Sequence, residues 1–211
     1  MKKYLVEGIG AFFWVLTLVL TLNNGAGSLA PLAIGAIVMV MTGVGASVSG
    51  AHFNPALSLA MLMRGKLDRI EFPYYVLAQL LGGFVAALIA VFLLGCGNAG
   101  STNIQARFND PICALLAEFI GAFLLVYTYL HIQRSEGQST MTGLVVGGAL
   151  LVALYAFGPV SGGAFNPAVG VGMIASGMAV WGDIWIYLLG SLLGGAAAFT
   201  AFQAIAEPEM P

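Results

Sequence analysis

Charge is what this chain has least of. Only 8% of its 211 residues are Asp, Glu, Lys or Arg, and the net charge is −2. Soluble domains carry about 25% charged residues, so a protein folded in water is excluded. No basic stretch offers nucleic acid a footprint. Histidine and cysteine number two each. His52 and His131 stand far apart without clustered carboxylates or thiols, which excludes a persuasive metal site. No nucleophile–base pair falls among the apolar segments, so neither an enzyme nor a bound cofactor is expected. The alternation of polar and apolar residues that marks a transmembrane β-barrel is missing too.

What is present is apolar. Hydrophobic residues make up 60% of the chain and the mean hydropathy is +0.96. Six long apolar stretches run over Tyr4–Leu22, Pro31–Ser49, Pro73–Leu94, Ile112–His131, Ser139–Gly158 and Trp181–Ile205. At about 1.5 Å per residue each can cross a bilayer core of about 30 Å. The expected fold class is an all-α membrane protein with six transmembrane helices, forming a single domain over residues 1–211. Lys2 and Lys3 before an apolar run, with Ser28-Leu29-Ala30 beyond it, have the outline of a signal peptide. The length of the run, Glu7 near its start and Pro31 after the small residues oppose cleavage.

Basic residues mark cytoplasmic loops. Lys2, Lys3, Arg64, Lys66, Arg69 and Arg134 fall on one side if the spans alternate, leaving Arg107 opposite. Both termini are therefore expected in the cytoplasm. The short loops and plain termini suit the inner membrane of a bacterium or archaeon. Trp181 and Trp185 suit an interfacial belt, and Cys96 and Cys113 should flank an external loop, where helix-end packing and a disulfide are both open readings.

The chain repeats itself. Ser49 to Ser58 reads SGAHFNPALS and Ser161 to Gly170 reads SGGAFNPAVG, placing the two Asn-Pro-Ala triplets 112 residues apart. Leu81-Gly82-Gly83 recurs as Leu193-Gly194-Gly195 at the same offset, and the segment opening with Glu7 recurs from Glu118 at 111. The units are approximately 1–98 and 110–211. Each holds three crossings, and an odd number forces the second copy to enter the bilayer from the opposite side, giving inverted repeats.

The motif segments, Gly50 to Met63 and Gly162 to Ala175, are too short to span and too apolar for loops in water. Proline suits the first turn of a helix and asparagine the cap before it. Asn54-Pro55-Ala56 and Asn166-Pro167-Ala168 should thus start two re-entrant half-helices. Irregular backbone at membrane depth is tolerated only in protein or beside a wet cavity, so the carbonyls of Gly50, Ala51, His52, Gly162, Gly163 and Ala164 should line one. Each half-helix presents about half a positive charge at its tip, which repels cations and protons, while the asparagine N–H groups and the carbonyls offer partners to a neutral solute.

Six spans, two such half-helices and an acidic residue in the first helix of each half resemble the aquaporin (major intrinsic protein) family over essentially the whole chain. The resemblance implies a homotetramer with one pore per subunit in the lipid bilayer, passing water or small uncharged solutes. It also implies that Glu7 and Glu118 accept hydrogen bonds from the re-entrant loops, which agrees with the need of a carboxylate in lipid for partners. The residue type at His52 is common there and mostly structural, although an imidazole could sense pH.

The second constriction departs from the family pattern. Val169 stands where a water channel has arginine, and the remaining positions fall on Ile34, Leu154 and Gly163. This filter has no ring and no charge, so looser selectivity is expected, with ammonia, urea, hydrogen peroxide and glycerol as examples. A register one residue off would place Tyr155 in the pore instead of Leu154. Two rival classes remain open: an ion-coupled secondary transporter, which also uses inverted repeats, and a non-conducting structural protein with an apolar constriction that stays shut.

Overall fold

A computed structural model describes residues 1–96, 110–133 and 141–205. Among the described residues six helices are long and apolar enough to cross a membrane: α1 (Lys2–Asn23), α2 (Ala30–Ser49), α4 (Phe72–Cys96), α5 (Pro111–Ile132), α6 (Thr142–Ser161) and α8 (Ile184–Ile205). Two short ones, α3 (Pro55–Met63) and α7 (Pro167–Ala175), have nine residues each. No strand occurs among the described residues. Nine residues rise about 14 Å at 1.5 Å each, less than half a bilayer core, so α3 and α7 enter and return as the sequence leads one to expect.

The helix ends follow the expected stretches to within about three residues, and Ser139, where the fifth stretch begins, lies outside the described residues. The fifth apolar stretch ends at Gly158, while α6 continues through Pro159 to Ser161. Proline removes one backbone bond and crowds the preceding turn, an effect that weakens when only two residues of helix follow it. The helix then closes on Gly162, whose N–H bonds Gly158 at 2.8 Å and whose φ of 90° is left-handed. Gly50 ends α2 in the same way at φ 86°. Both positions favour glycine because a Cβ disfavours this conformation.

The halves interlock. A Cβ at Gly83 on α4 would stand 2.7 Å from the carbonyl oxygen of Ala168 in α7, and one at Gly195 on α8 would stand 2.8 Å from that of Ala56 in α3. The third long helix of each half thus supports the short helix of the other. Closer in sequence, Gly10 leaves room for the Phe53 ring and Gly121 for the Phe165 ring. Small residues allow these backbone approaches, as helix packing in lipid requires. On the flank, Lys3 pairs with Glu71 between α1 and the start of α4. Trp181 and Trp185 are exposed. Cys96 and Cys113 are exposed and unbonded. Arg107, Arg134 and the C-terminal tail lie outside the described residues.

Candidate functional site: two half-helix tips

The site begins with two buried carboxylates. Glu7 on α1 and Glu118 on α5 have no solvent exposure. Glu7 accepts from Ser49 Oγ at 2.6 Å, the N–H groups of His52 at 2.9 Å and Phe53 at 2.6 Å, and Gln79 Nε2 at 2.7 Å. Glu118 repeats the first three with Ser161 Oγ at 2.6 Å, Ala164 N–H at 3.0 Å and Phe165 N–H at 2.5 Å. Bonds to a charged acceptor contribute about 1.5–3 kcal/mol each. They hold backbone that would otherwise relax, since Ala51, Phe53 and Phe165 have φ of 56°, 52° and 50°. Strain at such residues costs about 1–3 kcal/mol apiece. Two backbone bonds and a serine bond per carboxylate therefore match or exceed it.

With the N–H groups turned to the carboxylates, the loop carbonyls face elsewhere. Gly50 O accepts from Tyr129 OH at 2.6 Å. The carbonyls of Ala51, His52, Gly162, Gly163 and Ala164 receive no hydrogen bond from the described residues. Just outside these segments, Tyr75 OH bonds Ser49 O at 2.9 Å and Tyr187 OH bonds Ser161 O at 3.2 Å, again one pair repeated 112 residues on.

The tips meet. Asn54 and Asn166 are fully buried and extended, at φ −149° and −161°. Each caps its own helix, Asn54 Oδ1 accepting from Ala56 N–H at 2.8 Å and Asn166 Oδ1 from Ala168 N–H at 2.9 Å. Pro55 and Pro167 take the first helical position, where a missing N–H loses nothing. Each asparagine also reaches across: Asn54 Nδ2 donates to Phe165 O at 3.1 Å and Asn166 Nδ2 to Phe53 O at 2.9 Å. An amide nitrogen has two hydrogens. The second on each has no partner among the described residues.

Of the four residues expected at the constriction, Ile34, Leu154 and Val169 are buried at 1%, 6% and 1% exposure. Leu154 lies over Gly163, its Cδ2 2.9 Å from where a Gly163 Cβ would stand. Tyr155 is exposed, and its hydroxyl bonds Ser28 O at 2.7 Å. His131 is half-buried, its ring between Tyr127 and Phe202.

Several participants escape a reading for motifs. Ser49 and Ser161 stood inside the repeated frames but carried no assigned role. Tyr75, Tyr187 and Tyr129 look like ordinary span residues. Gln79 had a usable signal: it is a lone amide inside an apolar span, and such a group needs a partner in lipid.

Six spanning helices, two re-entrant helices and reciprocal tips on an inverted repeat define the class as a multi-pass integral membrane channel. The chain matches the Major intrinsic protein (MIP) family over residues 1–202. It is 32% identical to Aquaporin NIP1-1 of Zea mays, covering 100% of this chain and 77% of that one. It is 30% identical to Glycerol uptake facilitator protein-like 6 of Lactiplantibacillus plantarum, covering 95% and 97%. The fold is shared with the aquaglyceroporin of Plasmodium falciparum at a TM-score of 0.81 and 22% identity, over 97% and 96% of the two chains. The chain belongs to the major intrinsic protein family and forms a channel for water or small solutes.

Proposed function

We propose a passive pore for small uncharged solutes in which the two Asn-Pro-Ala tips meet near the midplane and exclude ions and protons. The observation that carries this reading is the reciprocal bond between the tips. Each asparagine uses one N–H to lock the opposite loop, which orients the other as a donor. Two α-helix N-termini contribute about half a positive charge each, and low dielectric strengthens their field. A neutral molecule loses water and gains the asparagine donors and the loop carbonyls. A cation gains the carbonyls but meets the field.

Ile34, Leu154, Gly163 and Val169 form the constriction in this reading. Without an arginine the ring lacks a fixed cation and five donors, and without an aromatic it is wider. Water, ammonia, urea, hydrogen peroxide and glycerol are the solutes of this size and polarity. Proton exclusion then rests on the half-helix tips. The proposal includes a homotetramer with one pore per subunit, which family membership supports, and cytoplasmic termini in a prokaryotic inner membrane, which the basic residues and short loops support.

Stopped-flow swelling and shrinking of proteoliposomes against a panel of neutral osmolytes, with water and ammonia included, tests the proposal. Non-saturating flux of several neutral solutes without proton leak is the expected result. Flux that saturates or follows an ion gradient would mean a transporter, and permeability equal to that of empty vesicles would mean a closed structural protein.

A further inference from the structure

The inverted symmetry fails at one place. Three polar residues of the first half, His52, Ser58 and Gln79, are answered 112 residues later by Ala164, Gly170 and Ser191. In the first half they are connected. Gln79 Nε2 lies 2.7 Å from Glu7 Oε2 and 2.9 Å from Ser58 Oγ, and Ser58 Oγ lies 3.1 Å from His52 Nδ1. Gln79 and Ser58 have no solvent exposure and His52 has 5%.

The donors available favour one direction for these bonds. The Glu7 carboxylate takes donors only, so the Gln79 atom facing it is the nitrogen, whose second hydrogen points to Ser58 Oγ. The hydroxyl oxygen therefore accepts from Gln79. It has one proton of its own, and its remaining partner among the described residues is His52 Nδ1. That proton is satisfied only if Nδ1 accepts it, since a buried hydroxyl donor without a partner is costly, and in a neutral imidazole the other nitrogen then carries the hydrogen.

We infer that Gln79 and Ser58 are positioning residues that hold His52 as the Nε2–H tautomer, giving the passage on the α2–α3 side an imidazole donor that the other side lacks. The inference rests on the pore reading for its function. The ring is set between Tyr75 and Tyr129, with centroids at 5.2 and 5.8 Å. Both tyrosine hydroxyls are committed to carbonyls, those of Ser49 and Gly50. Nε2 lies beside Gly50, 3.0 Å from where a Cβ would stand, and makes no hydrogen bond to the described residues. Its partner is a molecule in the passage with an acceptor oxygen, water or a neutral solute. The side chain thus adds a donor where the loop backbone otherwise presents carbonyl acceptors.

The chain has two histidines, which makes the test direct. Histidine labelled with the heavy nitrogen isotope is incorporated into the full-length protein, and solid-state NMR is recorded in proteoliposomes well above the ordinary imidazole pKa of about 6.5. H131Q assigns the remaining signals to His52. The expected result is a protonated Nε2 and a bare Nδ1. S58A lowers the tautomer ratio by about fivefold, the equivalent of one ordinary hydrogen bond, whereas S58T, which keeps the hydroxyl, retains it. Q79L lowers the ratio as well, because the freed hydroxyl can turn. A proton on Nδ1 in the unaltered protein, or a ratio unmoved by S58A, overturns the inference. These readouts need no flux, so the absence of permeability would sink the pore reading while leaving this one intact.

Discussion

Asn166 donates to the carbonyl of Phe53 across the boundary between the two halves at 2.9 Å, and Asn54 returns the bond to Phe165 at 3.1 Å. The tips are therefore fixed to each other as well as to their own helices. Replacing Asn54 with Ala removes a cap worth about 1 kcal/mol and a cross-bond worth about 1 kcal/mol. Thermal unfolding in detergent should show a loss of about 2 kcal/mol, and neutral-solute flux in vesicles should fall. N54D should bring cation leak with it, since the donor is exchanged for a negative charge facing the passage.

Removing a carboxylate should do more damage than removing a tip. E7A orphans the N–H groups of His52 and Phe53, together with Ser49 and Gln79. Each buried donor left without a partner costs about 1–3 kcal/mol. A loss of at least about 4 kcal/mol is expected in a denaturant titration, large enough to lower the yield of folded protein. E118A should act likewise. Wild-type stability in either variant would show that the loops are held by something else.

G83A places a methyl group 2.7 Å from the Ala168 carbonyl, and backbone cannot move aside cheaply. Overpacking of this kind costs about 1–3 kcal/mol. G148A meets nothing within 4 Å and should leave the unfolding midpoint unchanged or raise it slightly. Equal midpoints for the two variants would contradict the close approach of α4 and α7.

V169R restores a cation to the proposed constriction. Urea and glycerol flux should drop several-fold in a vesicle shrinkage assay while water flux persists. Y155F should leave both unchanged, because the Tyr155 hydroxyl is exposed and bonded to Ser28. Unaltered solute flux in V169R would remove Val169 from the filter.

The architecture was legible in the sequence because lipid leaves few choices. An apolar run of about 20 residues in a bilayer becomes a helix, and Asn-Pro marks a helix start wherever it lies. Register between the halves was also plain, through Glu7 and Glu118 and through Gly82-Gly83 and Gly194-Gly195. The end of α6 was not marked by the apolar stretch alone, because a proline two residues from the end of a helix breaks little. The tyrosine anchors were hidden because a phenol in an apolar span is equally at home in a core, facing lipid or on a carbonyl. Only coordinates distinguish these. The Gln79–Ser58–His52 chain was hidden for another reason: its members come from two helices and a loop, and no spacing rule joins them.

The seating of Gly83 under Ala168 and of Gly195 under Ala56 has a consequence for biogenesis. As the ribosome delivers the chain, α3 enters the bilayer long before α8 exists, so its seat is missing for most of synthesis. The early portion must wait half-assembled, with a polar loop shielded by lipid, insertase or a neighbouring chain, until the last span arrives and clasps it. Severing the polypeptide between its repeats and expressing the pieces separately would leave each with an empty socket, so co-expression should rescue what neither piece achieves alone.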